Sequence, residues 1–344
     1  MKLAGAAALL VPLMSQAATY SAKKVVIDGV EAIVLTDGAH KTEVAVLPSI
    51  GNIGYRMTVN GKNAFWVPYD NLAEMKAKPA MGGAPFLAPW ANRIDQDAYY
   101  ANSKKYLLNP DLANIGRDAN RKPIHGLLRF SPLWSVTHLQ ADDHAAWVTS
   151  RLEFWKYPDL MAQFPFAHTI EMTYRLSNGV LEVETALENH AAEPMPVGIG
   201  FHPYFQVHDA PRDEWQVHLA ARDHLTLSPL LIPTGERTPV AYPDPLPLKG
   251  AQLDDVFGNL IRGADGKAEF SVQGKREKVT VSYGPKYTVA VVYAPPGKNF
   301  ICFEPMSGVT NAFNLAHEGI YKELQSVPPG GEWRESFWVS PSGF

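Results

Sequence analysis

A chain of 344 residues, 46% hydrophobic and 11% aromatic, has enough apolar surface for a large packed core, which excludes a disordered polypeptide. With 31 Lys and Arg against 35 Asp and Glu the formal charge is −4, so nothing marks a partner that is nucleic acid or anionic membrane. The only cysteine is Cys302, which rules out an intramolecular disulfide and leaves stability to the core.

Residues 1–17 read as a secretory signal peptide: Lys2 supplies the positive start, Leu3 to Met14 the apolar run and Ser15-Gln16-Ala17 a small-x-small cleavage site. That run is shorter than the ~20 apolar residues a membrane span needs, and no later segment is long and apolar enough. The expectation is therefore an exported protein, periplasmic or secreted, whose residues 18–344 form one domain.

From Lys24 onward the pattern is that of strands. Lys24 to Asp37 and Thr42 to Val59 are rich in Val, Ile and Thr, and the pairs Asp28-Gly29, Asp37-Gly38 and Asn60-Gly61 mark turns. Asn71 to Lys78 alone looks helical. Two irregular stretches follow, Gly82 to Asp95 and Asn109 to His125, and long loops of this kind in a compact domain tend to carry function. The first presents Asn92 and Arg93, forked hydrogen-bond donors that would serve as a structural clamp or as ligands for hydroxyls or a carboxylate. The second ends in His125-Gly126, where the glycine permits close approach of backbone or ligand.

Strand signal resumes at Trp134 to Phe154. The clearest hairpin lies mid-chain: Ile170, Met172, Tyr174 and Leu176 alternate with Glu171, Thr173 and Arg175, Asn178-Gly179 turns, and Leu181, Val183 and Leu187 return. Further on, Gly198-Ile199-Gly200-Phe201-His202-Pro203-Tyr204-Phe205 places His202 before a proline and so in extended backbone, with Tyr204 on the same face. The two glycines fit either room for a ligand or close strand packing. Trp215 to Leu227, Val279 to Tyr283 and Thr288 to Tyr293 complete the β signal, the last two joined by Gly284-Pro285. Many short strands, 26 Gly and 28 Pro, and no alternating helices point to an all-β antiparallel sandwich or barrel.

Near the end of the sequence a further strand, Ile301-Cys302-Phe303-Glu304-Pro305, delivers a carboxylate in an apolar run. Alternation puts Cys302 and Glu304 on one face and Ile301 and Phe303 on the other. A buried acid must be hydrogen-bonded, paired or used, so Glu304 is either catalytic or a satisfied structural group. Cys302 reads as an inert buried thiol rather than a nucleophile. None of the 11 histidines stands at a metal-binding spacing such as His-Glu-x-x-His, so no metal is expected.

Taken in order, Asn92-Arg93-Ile94, His125-Gly126, His202-Pro203-Tyr204-Phe205, Leu231-Ile232-Pro233-Thr234-Gly235-Glu236, Leu253-Asp254-Asp255-Val256-Phe257 and Phe303-Glu304-Pro305 resemble the aldose 1-epimerase (galactose mutarotase) family over nearly the whole chain after the signal. The resemblance implies a large antiparallel β-sandwich with a sugar cleft on one concave sheet, a monosaccharide as partner and no cofactor. Residue by residue it implies Glu304 as general base, His202 as general acid, His125 as a second histidine near the ring oxygen, and Arg93 and Asp254 as holders of ring hydroxyls, beside Asn92. A carboxylate of ordinary pKa ~4.3 and a histidine near ~6.5 suit the opening of a cyclic hemiacetal near neutrality.

One feature differs from galactose mutarotases. His125-Gly126-Leu127-Leu128-Arg129, with Gly82-Gly83-x-Pro85 upstream, is similar to the related hexose-6-phosphate epimerases, in which arginines hold the phosphate, and makes Arg129 a candidate phosphate contact. Export and Asn92-Arg93-Ile94 favour a free aldose. A non-catalytic carbohydrate-binding protein is the alternative of another class, but sugar binding alone needs no acid and base. A glycosidase using Glu304 with Asp254 would leave His202 without a role.

Overall fold

A computed structural model describes residues 19–344, and the expected signal peptide lies outside the described residues. The amino-terminal part is a five-stranded antiparallel sheet made by Tyr20–Ile27, Val30–Asp37, Thr42–Leu47, Ile53–Val59 and Lys62–Asn63. Its tight turns sit where expected: Asp28 and Gly29 have φ of 50° and 76°, and Asn60 and Gly61 have 50° and 81°. Positive φ at both central residues matches the right-handed strand twist. Asp37 and Gly38 also open a turn as read, between the paired residues Asp37 and Thr42, and Asp37 has a second task. Its buried carboxylate accepts from Gly179 N at 2.9 Å and His40 N at 3.2 Å, tying this sheet to the mid-chain hairpin.

That hairpin, His168–Ser177 and Val180–Asn189, lies in a nine-stranded antiparallel sheet. Glu332–Ser342 pairs beside it, followed by Lys278–Tyr283 and Ala268–Gln273 on one side, with Ala146–Glu153 and Ser135–Ala141 on the other. Facing it is an eight-stranded sheet with the order Pro233–Pro239, Ala221–Leu227, Leu253–Leu260, Val289–Ala294, Ile301–Met306, Gly200–Phe201 and Phe86–Leu87, where Tyr204–Phe205 also pairs with Ile301–Met306. Aromatic side chains fill the space between. Phe303 meets Phe270 at 6.2 Å and Phe205 at 6.1 Å between ring centroids, and Phe201 meets Phe337 at 4.7 Å. Each such ring contributes roughly 1.5–3 kcal/mol by leaving water. The chain is an all-β antiparallel sandwich.

Gly284-Pro285 joins Lys278–Tyr283 to Val289–Ala294 as read from the sequence, and the two strands lie in different sheets, the nine-stranded and the eight-stranded one. The turn carries the chain across the sandwich. Helices also occur at Pro158–Gln163 and Ala312–His317 besides the expected Leu72–Ala77, whose Asn71 Oδ1 caps Glu74 N at 3.0 Å. Segments this short span less than two turns and show no 3.6-residue period to read.

Candidate active site

Strand register assembles the site. Asp254 pairs with Tyr293, Tyr293 with Cys302 and Cys302 with Tyr204, a row across four neighbouring strands. Val256, Val291 and Glu304 form the next row on the same face, since cross-strand partners and positions two apart share a side. Phe303, between Cys302 and Glu304, points into the core. Glu304 exposes 1% of its surface, and burial pushes its carboxyl well above the usual carboxylate range; Asp254 adds to the effect and Arg93 opposes it.

His202 follows Gly200–Phe201, its backbone N–H donating to Pro85 O at 3.0 Å. Its ring stacks on Tyr204 at 4.7 Å and 11°, which fixes the imidazole plane. Nε2 then stands 3.2 Å from Glu304 Oε1. Burial above all, and then the Arg129 and Arg93 charges, lower the His202 pKa to about 3. Burial thus disfavours the charged form of both partners in this contact. The preceding glycines are close-packing devices rather than room for a ligand: a Cβ on Gly200 would lie 2.1 Å from Met306 Sδ, and one on Gly198 would lie 2.8 Å from Phe313 Cζ.

The two irregular loops meet beside this pair. His125 N donates to Asn92 O at 2.9 Å, Ile94 N to Pro123 O at 2.9 Å and Leu127 N to Ala88 O at 2.7 Å. Gly126 allows the junction, since a Cβ there would lie 2.1 Å from Ala88 O. Asn92 and His125 both hold left-handed backbone, φ 55° and 62°, a cost of about 1–3 kcal/mol that persists where surroundings enforce it. His125 crosses His202 edge-on, with 5.5 Å between ring centroids. Burial first, and then His202, Arg129 and Arg93, hold its pKa well below the ordinary value.

Arg93 donates from Nε to Asp118 Oδ2 at 2.7 Å and from Nη1 to Asn92 Oδ1 at 2.9 Å, so it is clamped while still reaching the cleft. Burial alone would raise the Asp118 carboxyl, but hydrogen bonds from Lys122 N and Arg93 outweigh it and keep the group ionised. Burial also raises Asp254, against Arg93 and with Asp255. Asn92, Arg93, His125, His202, Asp254 and Glu304 line one cleft of about 230 Å³ with Ile124, Tyr204, Val291 and Tyr293. One water needs only ~10–15 Å³, so the space suits a small polar molecule. Arg129 is not on this wall. It is half-buried, its guanidinium lies over the Phe130 ring and beside Gly116, and no carboxylate among the described residues pairs with it.

Sequence reasoning missed Asp118 and Tyr293. Asp118 lies in a loop without periodicity and offered no signal, whereas the alternation of Thr288 to Tyr293 could have placed Tyr293 on the face of Val291. His125 Nδ1, His202 Nδ1 and Glu304 Oε2 are buried without a partner. Such groups cost roughly 1–3 kcal/mol each and are retained where they serve a ligand or a reaction. Among the described residues, one group has metal-ligand spacing: atoms of His202, Cys302 and Glu304 lie within 4.8 Å of one another.

The cleft of this antiparallel sandwich holds a buried acid against an imidazole, ringed by polar side chains, groups that can move a proton and hydrogen-bond a small polar molecule. The same fold occurs in a galactose mutarotase-like protein from Clostridium acetobutylicum, with a TM-score of 0.83 at 19% identity over 95% of this chain and 99% of that one. A Synechocystis protein matches with a TM-score of 0.73 at 24% identity over 93% and 98% of the two chains. Galactose 1-epimerase from Lactobacillus acidophilus matches with a TM-score of 0.71 at 14% identity over 94% and 100%. The sequence profile of the aldose 1-epimerases fits residues 33–340, and the chain belongs to that family, enzymes acting on carbohydrates.

Proposed function

We propose that the protein interconverts the α and β anomers of a free aldose, a hexose such as glucose or galactose, by acid–base opening and closing of the ring. The observation that carries this reading is the 3.2 Å contact of Glu304 Oε1 with His202 Nε2 on the cleft wall. The pair shares one proton. The reaction starts from the state in which that proton is on the imidazole and the carboxylate is free.

Glu304 then takes the proton of the C1 hydroxyl, the electron pair on that oxygen forms the carbonyl, the bond from C1 to the ring oxygen breaks, and His202 protonates the ring oxygen. The aldehyde turns about C1–C2, and the reverse transfers close it from the other face. The pair returns to its starting proton count, so no base or acid from solvent is consumed. Arg93, His125 and Asp254 line the same cleft and are suited to hold ring hydroxyls while the aldehyde turns.

The amino-terminal stretch read as a signal supports export and, with it, an unphosphorylated substrate. A hexose 6-phosphate is the second reading, favoured by the guanidinium of Arg129, which has no carboxylate partner among the described residues and whose charge reaches both His125 and His202. A purely sugar-binding role would not require the buried Glu304. Polarimetry of freshly dissolved α-glucose, α-galactose and glucose 6-phosphate separates these readings. Rapid decay of rotation with the free sugars supports the proposal, and a clear preference for the phosphate ester would overturn it.

A further inference from the structure

We propose that His202, Cys302 and Glu304 form an inhibitory binding site for a thiophilic divalent cation such as Zn²⁺. The three donors are a nitrogen, a sulfur and an oxygen whose ligand atoms lie within 4.8 Å of one another. Zn²⁺ takes this donor set at about 2.0–2.3 Å, which in a tetrahedron places ligand atoms roughly 3.3–3.8 Å apart. His202 Nε2 and Glu304 Oε1 already stand at 3.2 Å, and with no ligand atom beyond 4.8 Å of another, closing onto a cation takes shifts of about an ångström. Glu304 Oε2, buried and without a partner, is a second unused donor at the same point. His202 and Glu304 line the cleft, through which a cation and an exchangeable fourth ligand would reach the site.

Sequence spacing had set a metal aside, because His202 and Cys302 are brought together only by the pairing of Tyr204–Phe205 with Ile301–Met306. Cys302 lies fully buried in the row between Tyr204 and Tyr293, beneath the cleft wall, and the proton-transfer scheme makes no use of its thiol. Sulfur and nitrogen donors select Zn²⁺ over Mg²⁺ and Ca²⁺. The site is built for reversible occupation rather than for a resident ion: a ligating imidazole normally donates its other nitrogen to an acceptor, and His202 Nδ1 has none. Binding releases one proton from the thiol and one from the His202–Glu304 pair. A bound cation occupies both proton-transfer groups, so metal and sugar turnover exclude each other.

The inhibitory part of this inference rests on the epimerase reading, but the metal binding does not. Chelator-treated protein is titrated with ZnCl₂ by calorimetry, with CoCl₂ while following the thiolate-to-cobalt charge-transfer absorption, and with MgCl₂ as control. Polarimetry of α-glucose with and without Zn²⁺ runs in parallel. The expected result is one Zn²⁺ per chain, a cobalt–thiolate band, no response to Mg²⁺ and loss of mutarotation as Zn²⁺ binds. Cys302→Ala and Cys302→Ser each keep basal mutarotation, lose the band and bind Zn²⁺ more than about 100-fold less tightly. Zn²⁺ affinity unchanged in both variants, or a wild-type complex without the thiolate band, would overturn the site. Zn²⁺ binding with full mutarotation would overturn the inhibition, and a wild type inactive on aldoses would leave calorimetry and the cobalt spectrum to decide the site alone.

Discussion

Two regions of the sandwich bury a histidine, and they differ in what surrounds it. Around His168 the hydrogen bonds are local and structural: the ring stacks on Phe154 at 4.3 Å and its Nδ1 reaches Phe166 O at 2.6 Å. Nearby Gln163 accepts from Asn109 N at 2.8 Å, donates to Asn109 O at 2.8 Å and offers its own backbone carbonyl to Tyr99 Oη at 3.1 Å. Around His202, by contrast, His125 Nδ1, His202 Nδ1 and Glu304 Oε2 have no partner. Burial depresses both histidines, His168 to about 4 and His202 to about 3. A shifted pKa therefore does not mark the site. The facing acid does: His202 meets Glu304 across 3.2 Å on the wall of a cleft, whereas no carboxylate among the described residues pairs with His168.

The comparison breaks most sharply at Glu304. Glu304→Gln removes the base and lowers kcat about 10²–10⁴-fold, measured by polarimetry, while thermal unfolding shows a stable fold. The sign of the stability effect follows from proton binding. A carboxyl held protonated in the fold keeps a proton that the unfolded chain has lost above about pH 4.3, so its presence makes stability fall as pH rises through that window. The amide does not titrate, and the variant's advantage in melting temperature widens from pH 5 to pH 8.

His202→Gln comes next, with kcat down about 10²–10³-fold and little change in stability. His168→Gln does the reverse. It loses roughly 1–3 kcal/mol in urea unfolding by disturbing a satisfied site, and turnover per folded molecule stays at the wild-type value. Activity lost equally in both histidine variants would erase the distinction. The smallest effect is expected at Arg129: Arg129→Met leaves free-aldose turnover unchanged and lowers any residual activity on hexose 6-phosphates, read by the same polarimetric assay.

Much of this contrast was legible before the fold was known. Alternation along Ile301 to Pro305 put Glu304 on one face with Cys302, the residue before Pro203 had to be extended, and the two long loops marked the cleft walls. The ordered motifs named His125, Arg93 and Asp254. What stayed hidden depends on register between strands distant in sequence: the row Asp254, Tyr293, Cys302 and Tyr204, and the packing of Gly200 on Met306. Asp118, which holds Arg93, stands in an aperiodic loop and no local pattern points to it. The 3.2 Å contact of His202 with Glu304 likewise depends on the packing of strands distant in sequence, and no local pattern shows it.

The central claim, that His202 and Glu304 move one proton on a free aldose, is tested most directly by exchange NMR of equilibrated glucose and galactose. The anomeric protons of the two forms are resolved, and no net reaction obscures the rate. Catalytic amounts of the wild type are expected to produce cross-peaks between α and β signals, and equal amounts of folded Glu304→Gln none. Cross-peaks of equal intensity with the variant, or none with the wild type on either sugar, would contradict the account.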